Sequence, residues 1–496
     1  MRAISVEDMR AYEINSVWLG VGLEKLMENA GAAVARRIVE KAGSSKINVA
    51  VLAGKGGNGG DGFVAARHLA AMGASVTVHL AYPVELVKHP AARSNLEALL
   101  RDGTVRVVEP WRPGWLDLQG ADVVVDALLG IGVRGGLREP IRTMARAFTT
   151  AQALRVSIDT PTGVDPDTGS VAEGAAVADV TIALHRAKRG LLEGRARLHT
   201  GELVVEPIGL PPAAERLAGP GDVAARIPAR PRDAHKGMGG RVLVVAGSSG
   251  FPGAAMLAAL GAAQAGADLV YLSAPRDAAL QAAGMHSAIV PVPRGESLDS
   301  GAVGVLRGSG VLEKAHVIVA GPGLGRDRGT LEALRSLLED AGKPVVLDAD
   351  ALALVENGWR PGEAPVVVTP HRGEAYRLTG ESEPRQAAVE LAGRGYTALV
   401  KGPVDYVCGA GGLCRENRTG VPEMSVGGTG DVLAGVVGGF LARRIAVGRS
   451  PDPVNTAAAA AYTVGRAGEL ALGDGGSAFD VARAVPRVIE EARGLA

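Results

Sequence analysis

Ile47-Asn48-Val49-Ala50-Val51-Leu52-Ala53 runs directly into Gly54-Lys55-Gly56-Gly57-Asn58-Gly59-Gly60-Asp61-Gly62, and a helical run over residues 63–72 follows. The unbroken apolar run reads as a strand buried on both faces, and strand, glycine turn and helix in that order open a parallel α/β unit. Glycines let backbone N–H groups close on an oxyanion, and the following helix N-terminus favours negative charge. Gly54, Gly56 and Gly59 match GxGxxG, a weak pattern alone. A conventional dinucleotide site also needs an acid at the end of the second strand. Here residues 76–80 read Val-Thr-Val-His-Leu, with no acid. No Gly-Lys-Ser/Thr follows the loop either, which excludes a Walker loop. By itself the loop fits a phosphate site and a plain strand-helix turn equally well.

Upstream, Ser5 and Asp8 form a capping pattern, and Leu23, Leu26, Met27, Ala30, Val34 and Ile38 share one helical stripe. Downstream, residues 76–80, 123–125, 156–158 and 180–184 read as strands. Near Pro211 the pattern stops, and Pro212, Gly219, Pro220 and Gly221 suggest an interdomain linker. A second alternation begins at residues 241–246 and continues through 269–272, 317–319, 345–347, 366–368 and 399–400. The expectation is two α/β domains, 1–212 and 225–496, the first Rossmann-like and three-layered.

The 496 residues suit two or three cores, and 47% hydrophobic content can fill them. With 53 basic and 53 acidic residues there is no positive field to hold nucleic acid, and 3% aromatics leave few bases a stacking partner. The 70 glycines follow no Gly-X-Y period, so they belong to turns and exposed backbone. Cys408 and Cys414 are too few for a Cys-rich metal site and suggest no disulfide framework. Neither a secretory leader nor an apolar run of about 18 residues is evident, so a reducing cytoplasm and no membrane are expected.

Two acids stand at strand ends in the first domain, Asp126 after residues 123–125 and Asp159 after 156–158. Strand carboxyl ends of an open parallel sheet share one crevice, so both should meet the glycine loop. Singly, each aspartate would serve as a turn or helix cap. Together with Asn58 and Thr162 they offer hard oxygen ligands to a cation.

The ordered set of residues 26–31, the 54–62 loop, Asp126, residues 130–136, residues 159–163, Lys188, Gly190 and residues 201–209 resembles the NAD(P)HX epimerase family. The resemblance implies that Gly57, Asn58, Gly59, Gly60, Asp61, Gly130, Ile131, Gly132, Val133, Arg134, Gly135, Gly136 and Asp159 hold the hydrated nucleotide. It also implies a potassium ion at Asn58, Asp126 and Thr162. Gly57 stands where the family has a second Asn, and Thr162 where it has Ser. Asp159, the strand-end carboxylate expected nearest the substrate ring, is the candidate for the proton transfers.

In the second domain Gly427-Gly428-Thr429-Gly430-Asp431 enters an apolar helix. Such an entry forms an anion hole for a phosphoryl group, with Asp431 placed to accept a hydroxyl proton; a simple helix cap reads equally well from these five residues. Glycines 321, 323 and 325, Asp348 and Asp350, Thr369-Pro370-His371 with Glu374, and Lys401-Gly402 all follow strands. With His235-Lys236-Gly237, Gly240, the 247–254 loop and Thr419-Gly420, they resemble the ribokinase-like superfamily, specifically its ADP- or ATP-dependent NAD(P)HX dehydratases.

That resemblance implies substrate contacts at Ala254, Gly323, His371 and Asp431, and adenine-nucleotide contacts at Lys401, Gly402, Pro403, Val404, Asp405 and Gly430. Arg372 replaces a usual Pro, and Asp405 a usual Thr. The nucleotide would carry magnesium, with Glu374 and Asp348 as candidates to organise it through water. A homo-oligomer is implied as well. Two competing readings are a sugar or vitamin-precursor kinase with a Rossmann-like regulatory domain, and a non-enzymatic nucleotide- or partner-binding module. The 235–237 and 369–371 signatures favour the dehydratase over the kinase, and retention of Asp126 and Asp159 favours chemistry over binding alone.

Overall fold

The computed structural model describes residues 3–110, 115–131, 135–233, 235, 237–359, 362–473 and 475–495. The chain divides into two compact units, Met1–Pro211 and Pro212–Ala496.

Unit 1 carries strands β1 (Asn48–Ala53), β2 (Ser75–Leu80), β3 (Arg106–Val108), β4 (Val123–Ala127), β5 (Leu154–Ile158), β6 (Val180–Leu184) and β7 (Glu202–Glu206). They lie in the order β3-β2-β1-β4-β5-β6-β7, every neighbour parallel. Strand order reverses between β1 and β4, and a ligand crevice opens where connections leave in opposite directions. The glycine loop after β1 and Asp126 in β4 therefore meet at that point. The opening helical region is two helices, α1 (Val6–Trp18) and α2 (Leu23–Ala42), and the glycine loop enters α3 (Gly57–Ala71). At the start of α1 the Ser5 hydroxyl accepts from the Asp8 N–H, while the Ser5 N–H donates to the Asp8 carboxylate.

Unit 2 repeats the plan. Strands β8 (Arg241–Val245), β9 (Leu269–Pro275), β10 (Ile289–Arg294), β11 (Val317–Ala320), β12 (Val345–Leu347), β13 (Val366–Val368) and β14 (Thr397–Val400) are parallel, in the order β10-β9-β8-β11-β12-β13-β14. An antiparallel hairpin, β15 (Asp405–Cys408) and β16 (Cys414–Asn417), extends the sheet past β14. Alternate residues feed two separate cores: Val242, Val244, Val317 and Val319 pack on one face, Leu243, Val245, Ile318 and Ala320 on the other. Burial on both faces explains why these strands read as continuous apolar runs. Helices cover both, so each unit is a layered α/β domain.

Two expectations need correction. The Pro- and Gly-rich stretch after Pro211 is no linker: it belongs to unit 2, where Pro220–Arg226 is helical and Ala218, Val223 and Ile227 join the core. The Asp222 carboxylate is buried there, accepting from Arg226 Nε at 3.1 Å and Arg415 Nη2 at 2.8 Å. A stretch that looks polar in sequence is thus held inside by paired charges. Cys408 and Cys414, for which no disulfide was expected, are disulfide-bonded across the β15–β16 hairpin, where they stand as register partners. Among the described residues, no helix is long and apolar enough to cross a membrane.

Candidate active sites

In unit 1 the turn after β1 is so tight that a Cβ on Gly54 would meet the Leu128 carbonyl oxygen at 1.9 Å. This close approach brings the start of α3 against the end of β4, and a cavity of about 510 Å³ opens beside it. Gly57, Asn58, Asp61, Gly130, Ile131 and Asp159 line it together. Gly59 and Gly60 are buried within the first turn of α3. Gly135 and Gly136 line a separate hollow of about 190 Å³ with Gly163 and Val164. Gly132, Val133 and Arg134 lie outside the described residues.

Asp126 is fully buried, and its carboxylate accepts four hydrogen bonds. They come from Leu128 N (3.2 Å), Ser157 Oγ (3.0 Å), Thr162 N (2.8 Å) and Thr162 Oγ1 (2.7 Å). Burial pushes its pKa up against these four bonds, so the site would welcome positive charge. The Asn58 carboxamide is also buried, and neither its oxygen nor its nitrogen has a protein partner. A buried orphan amide is costly, and a bound cation would satisfy its oxygen. The donor set therefore fits potassium, with Asn58 offering a free ligand and Asp126 holding the Thr162 and Leu128 backbone around it.

Asp159 adopts φ 63°, a left-handed conformation rare for a non-glycine residue and concentrated at functional sites. Its carboxylate ion-pairs with Lys188, which is 0% exposed, and accepts from Leu184 N at 3.2 Å. Lys188 Nζ also donates to the Leu184 carbonyl at 3.0 Å. Two acids share the neighbourhood. Burial, reinforced by the charges of Asp159 and Glu13, holds the Asp61 carboxyl well above its ordinary range. Burial likewise raises Glu13 to about 7, with Lys188 opposing and Asp159 adding to the rise. Sequence reading gave Lys188 no role and missed Glu13. Nothing in a Lys four residues past a strand, or a Glu in a helix of mixed polar and apolar residues, marks it as facing a cavity.

In unit 2 the helix Thr429–Ala446 starts from Gly428 at φ 101°, where a Cβ would also strike Leu257 Cδ1 at 2.3 Å. Glycine is required there for both reasons. A cavity of about 900 Å³ is lined by His371, Lys401, Gly402, Pro403, Asp405, Gly427 and Gly430. A Cβ on Gly430 would lie 3.1 Å from Lys401 Nζ, so the lysine stands against the glycine-built helix start. His371 and Lys401 form an isolated parallel bridge, with Lys401 N donating to the Pro370 carbonyl at 2.8 Å. Lys401 Nζ also pairs with Asp348 Oδ1 at 2.8 Å, an oxygen shared with Thr369 Oγ1 at 2.7 Å.

Asp431 follows Gly430, and burial, then the nearby Asp348 charge, raise its carboxyl to about 7 against the pull of Lys401. Ala254 and Gly323 adjoin each other, a Cβ on Gly323 falling 3.0 Å from Ala254 Cβ, but neither lines the 900 Å³ cavity. Val404 does not line it either.

Several side chains have other work. Asp405 accepts from Gly402 N (3.0 Å) and Asn417 Nδ2 (2.9 Å), bracing the hairpin base. His371 caps the helix Arg372–Thr379, its Nδ1 accepting from Gly373 N at 2.9 Å. Glu374 accepts from His371 N at 2.8 Å, and Asp350 from Gly325 N at 2.9 Å. With Asp348 and Glu374 so engaged, no group of three metal-ligating side chains exists among the described residues. Lys236 lies outside the described residues.

The sequence matches two family models, YjeF-related protein N-terminus over residues 23–190 and NAD(P)H-hydrate dehydratase over residues 242–487. Two curated relatives, each a bifunctional NAD(P)H-hydrate repair enzyme Nnr, align over nearly the whole chain. That of Pyrobaculum aerophilum is 43% identical over 99% of this chain and 98% of its own length. That of Archaeoglobus fulgidus is 38% identical over 99% of both. A solved ADP/ATP-dependent NAD(P)H-hydrate dehydratase from Bacillus subtilis is 28% identical over 56% of this chain and 98% of its own, with TM-score 0.47. Full-length identity of this order, with both domain models matched in the same order, means that the chain belongs to the family of bifunctional NAD(P)H-hydrate repair enzymes.

Proposed function

We propose that this chain repairs hydrated nicotinamide nucleotides, unit 1 interconverting the R and S epimers of NAD(P)HX and unit 2 dehydrating the S epimer at the expense of ADP or ATP. The observation that carries this reading is the pairing, in each unit, of a glycine-built helix start with proton-bearing carboxyls in one neighbourhood. Glycine N–H groups bind phosphate or phosphoryl oxygens, and the carboxyl moves a proton at a hydroxyl.

In unit 2, Asp431 accepts the proton of the ring hydroxyl as its oxygen attacks the terminal phosphoryl group of the nucleotide. Backbone N–H groups at Gly428 and Gly430 and the Lys401 ammonium carry the charge on that group. Phosphate then leaves with the C–O bond electrons, and loss of a proton from the adjacent ring carbon regenerates NAD(P)H. Phosphorylation makes physical sense because hydroxide leaves poorly and phosphate well. His371 and residues 401–405 hold substrate and adenine nucleotide, while Ala254 and Gly323 supply a neighbouring wall. Magnesium bound with the nucleotide would neutralise charge on its phosphates.

In unit 1, Asp159 handles protons at the ring while Gly57, Asn58, Gly59, Gly60, Asp61 and residues 130–136 enclose the nucleotide. Potassium, held through Asn58 and the loops tied by Asp126 and Thr162, would neutralise the buried carboxylate and fix those loops. The domain ranges 1–211 and 212–496 mark the two activities. The family resemblance also supports a cytoplasmic homo-oligomer.

The test is recovery of NADH absorbance after mixing S-NADHX with the full chain and ADP or ATP. R-NADHX should recover too, through the epimerase. A phosphorylated sugar with no NADH recovery would instead support the kinase reading, and nucleotide binding without turnover the binding module.

A further inference from the structure

The epimerase cavity holds an acid that no expectation used. Glu13 lines it from α1, on the same helical face as Met9 and Arg10. Helix α1 is fixed there by three independent contacts with the rest of unit 1. Ile4 bridges Lys188 as a parallel pair, Ile4 N donating to Ala187 O and Arg189 N to Ile4 O, both at 3.0 Å. Val6 N donates to Asp167 Oδ1 at 2.8 Å. Tyr12 meets His185 edge-on, ring centroids 6.4 Å apart. The segment that presents Lys188 to Asp159 is therefore the one that seats Glu13 in the cavity.

Burial and mutual charge govern where the protons sit. Three carboxyls, Glu13, Asp61 and Asp159, interact with one another and with one fully buried ammonium, Lys188, which is ion-paired to Asp159. Lys188 is paired to Asp159, and Arg10 only partly offsets burial at Glu13, so protons are favoured on Glu13 and Asp61, the acids not paired to lysine. Burial, with the Asp159 and Glu13 charges adding to it, favours the protonated form of Asp61, in which it is a hydrogen-bond donor. Glu13, at about 7, can both give and regain one under working conditions.

We propose that Glu13 is a second catalytic acid–base of the epimerase cavity, acting in concert with the Lys188-paired Asp159. The inference rests on the epimerase reading of unit 1. Hydration of the reduced ring puts a hydroxyl on the carbon bonded to the ring nitrogen. The Glu13 carboxylic acid gives its proton to that hydroxyl oxygen, the C–O bond breaks, water leaves, and the nitrogen lone pair forms C=N⁺. Water adds to the opposite face of the now planar carbon, forming the new C–O bond, while C=N⁺ returns its electron pair to nitrogen. The proton released by that water passes to the Asp159 carboxylate. Glu13 ends ionised and Asp159 protonated, and return of one proton from Asp159 to Glu13 closes the cycle. In the opposite direction the two exchange roles.

The experiment uses the full-length chain without adenine nucleotide, following exchange of purified R-NADHX into the S epimer by chromatography. E13Q is expected to lower the enzyme-catalysed exchange rate at least about 100-fold, with melting unchanged. Wild-type exchange should fall as pH rises through about 7, and E13Q should lose that limb. Other charged or titratable groups around Glu13 are Arg10 on its own helix, Asp61 on α3, Asp159 after β5 and Lys188 after β6, with Lys55, Tyr82 and His89 also on the lining. The limb must therefore vanish in E13Q to be assigned to Glu13.

E13D, which keeps the acid but withdraws it by one methylene, covers the case of an E13Q that does not fold. It should melt like wild type, exchange about tenfold slower and titrate at a displaced pH. E13Q within about threefold of wild type, or an E13D profile superimposable on it, overturns the role of Glu13 while D159N stays inactive. If D159N is also fully active, the epimerase reading of this cavity falls with it.

Discussion

Replacing Asp431 by Asn keeps the side chain's size and removes its ability to take a proton. Because burial and the neighbouring Asp348 raise the Asp431 carboxyl to about 7, the base form is scarce in mild acid and dominant in mild alkali. The ionised fraction is about a tenth near pH 6 and about nine tenths near pH 8, so wild-type dehydration with saturating S-NADHX and ADP should rise about tenfold across that interval. D431N should lose about 10²- to 10⁴-fold in kcat and show no such rise, while a fluorescent ADP analogue still binds. K401M provides a check on the cause. Lys401 favours the ionised aspartate, so its loss should move the rising limb to higher pH and slow the reaction near neutrality. A D431N enzyme within tenfold of wild type, or a wild-type profile flat between these pH values, would refute the assignment of Asp431 as base.

D159N should reduce epimer exchange to near the uncatalysed rate while leaving ADP-dependent turnover of S-NADHX intact, because the two residues belong to separate units; loss of both activities would contradict this. The melting temperature of unit 1 should rise in KCl over LiCl, and N58A should abolish that difference, since Asn58 carries the orphaned buried carboxamide; an equal response in N58A would remove potassium from this site. D222N should cost about 3–5 kcal/mol in urea unfolding, because Arg226 and Arg415 would be left buried against a neutral amide. Burial pushes the Asp222 carboxyl up, but the two guanidinium charges outweigh it and leave it below its usual range. Its contribution is thus full above the unfolded value of about 4 and lost as pH falls through the lower folded value, an acid limb that D222N should lack.

The central strands were legible because a parallel strand covered on both faces must be apolar throughout, as residues 49–53, 123–125 and 317–319 are. Every edge strand went unread. β3 and β7 bound the first sheet, β10 and β16 the second, and each escapes that requirement. β7 begins and ends in Glu, and β10 contains Pro291 and Pro293, which an edge tolerates because one side needs no ladder donor. The linker reading failed for a related reason: Asp222 and Arg226 look solvated until Arg415, almost two hundred residues later, is seen to close around them.

The letters alone settled two parallel α/β layers, glycine turns at their strand ends and acids beside those turns, because burial and backbone geometry write themselves into local composition. Which acids meet was decided by tertiary structure. Glu13 reaches Asp159 and Lys188 because Ile4 pairs with a loop some 180 residues away, and Asp348 binds Lys401 across a strand that lies between them. The proton affinities of Glu13 and Asp431 follow from burial and from these long-range approaches. Neither has a local signature, since a carboxyl's pKa depends on what surrounds it in space.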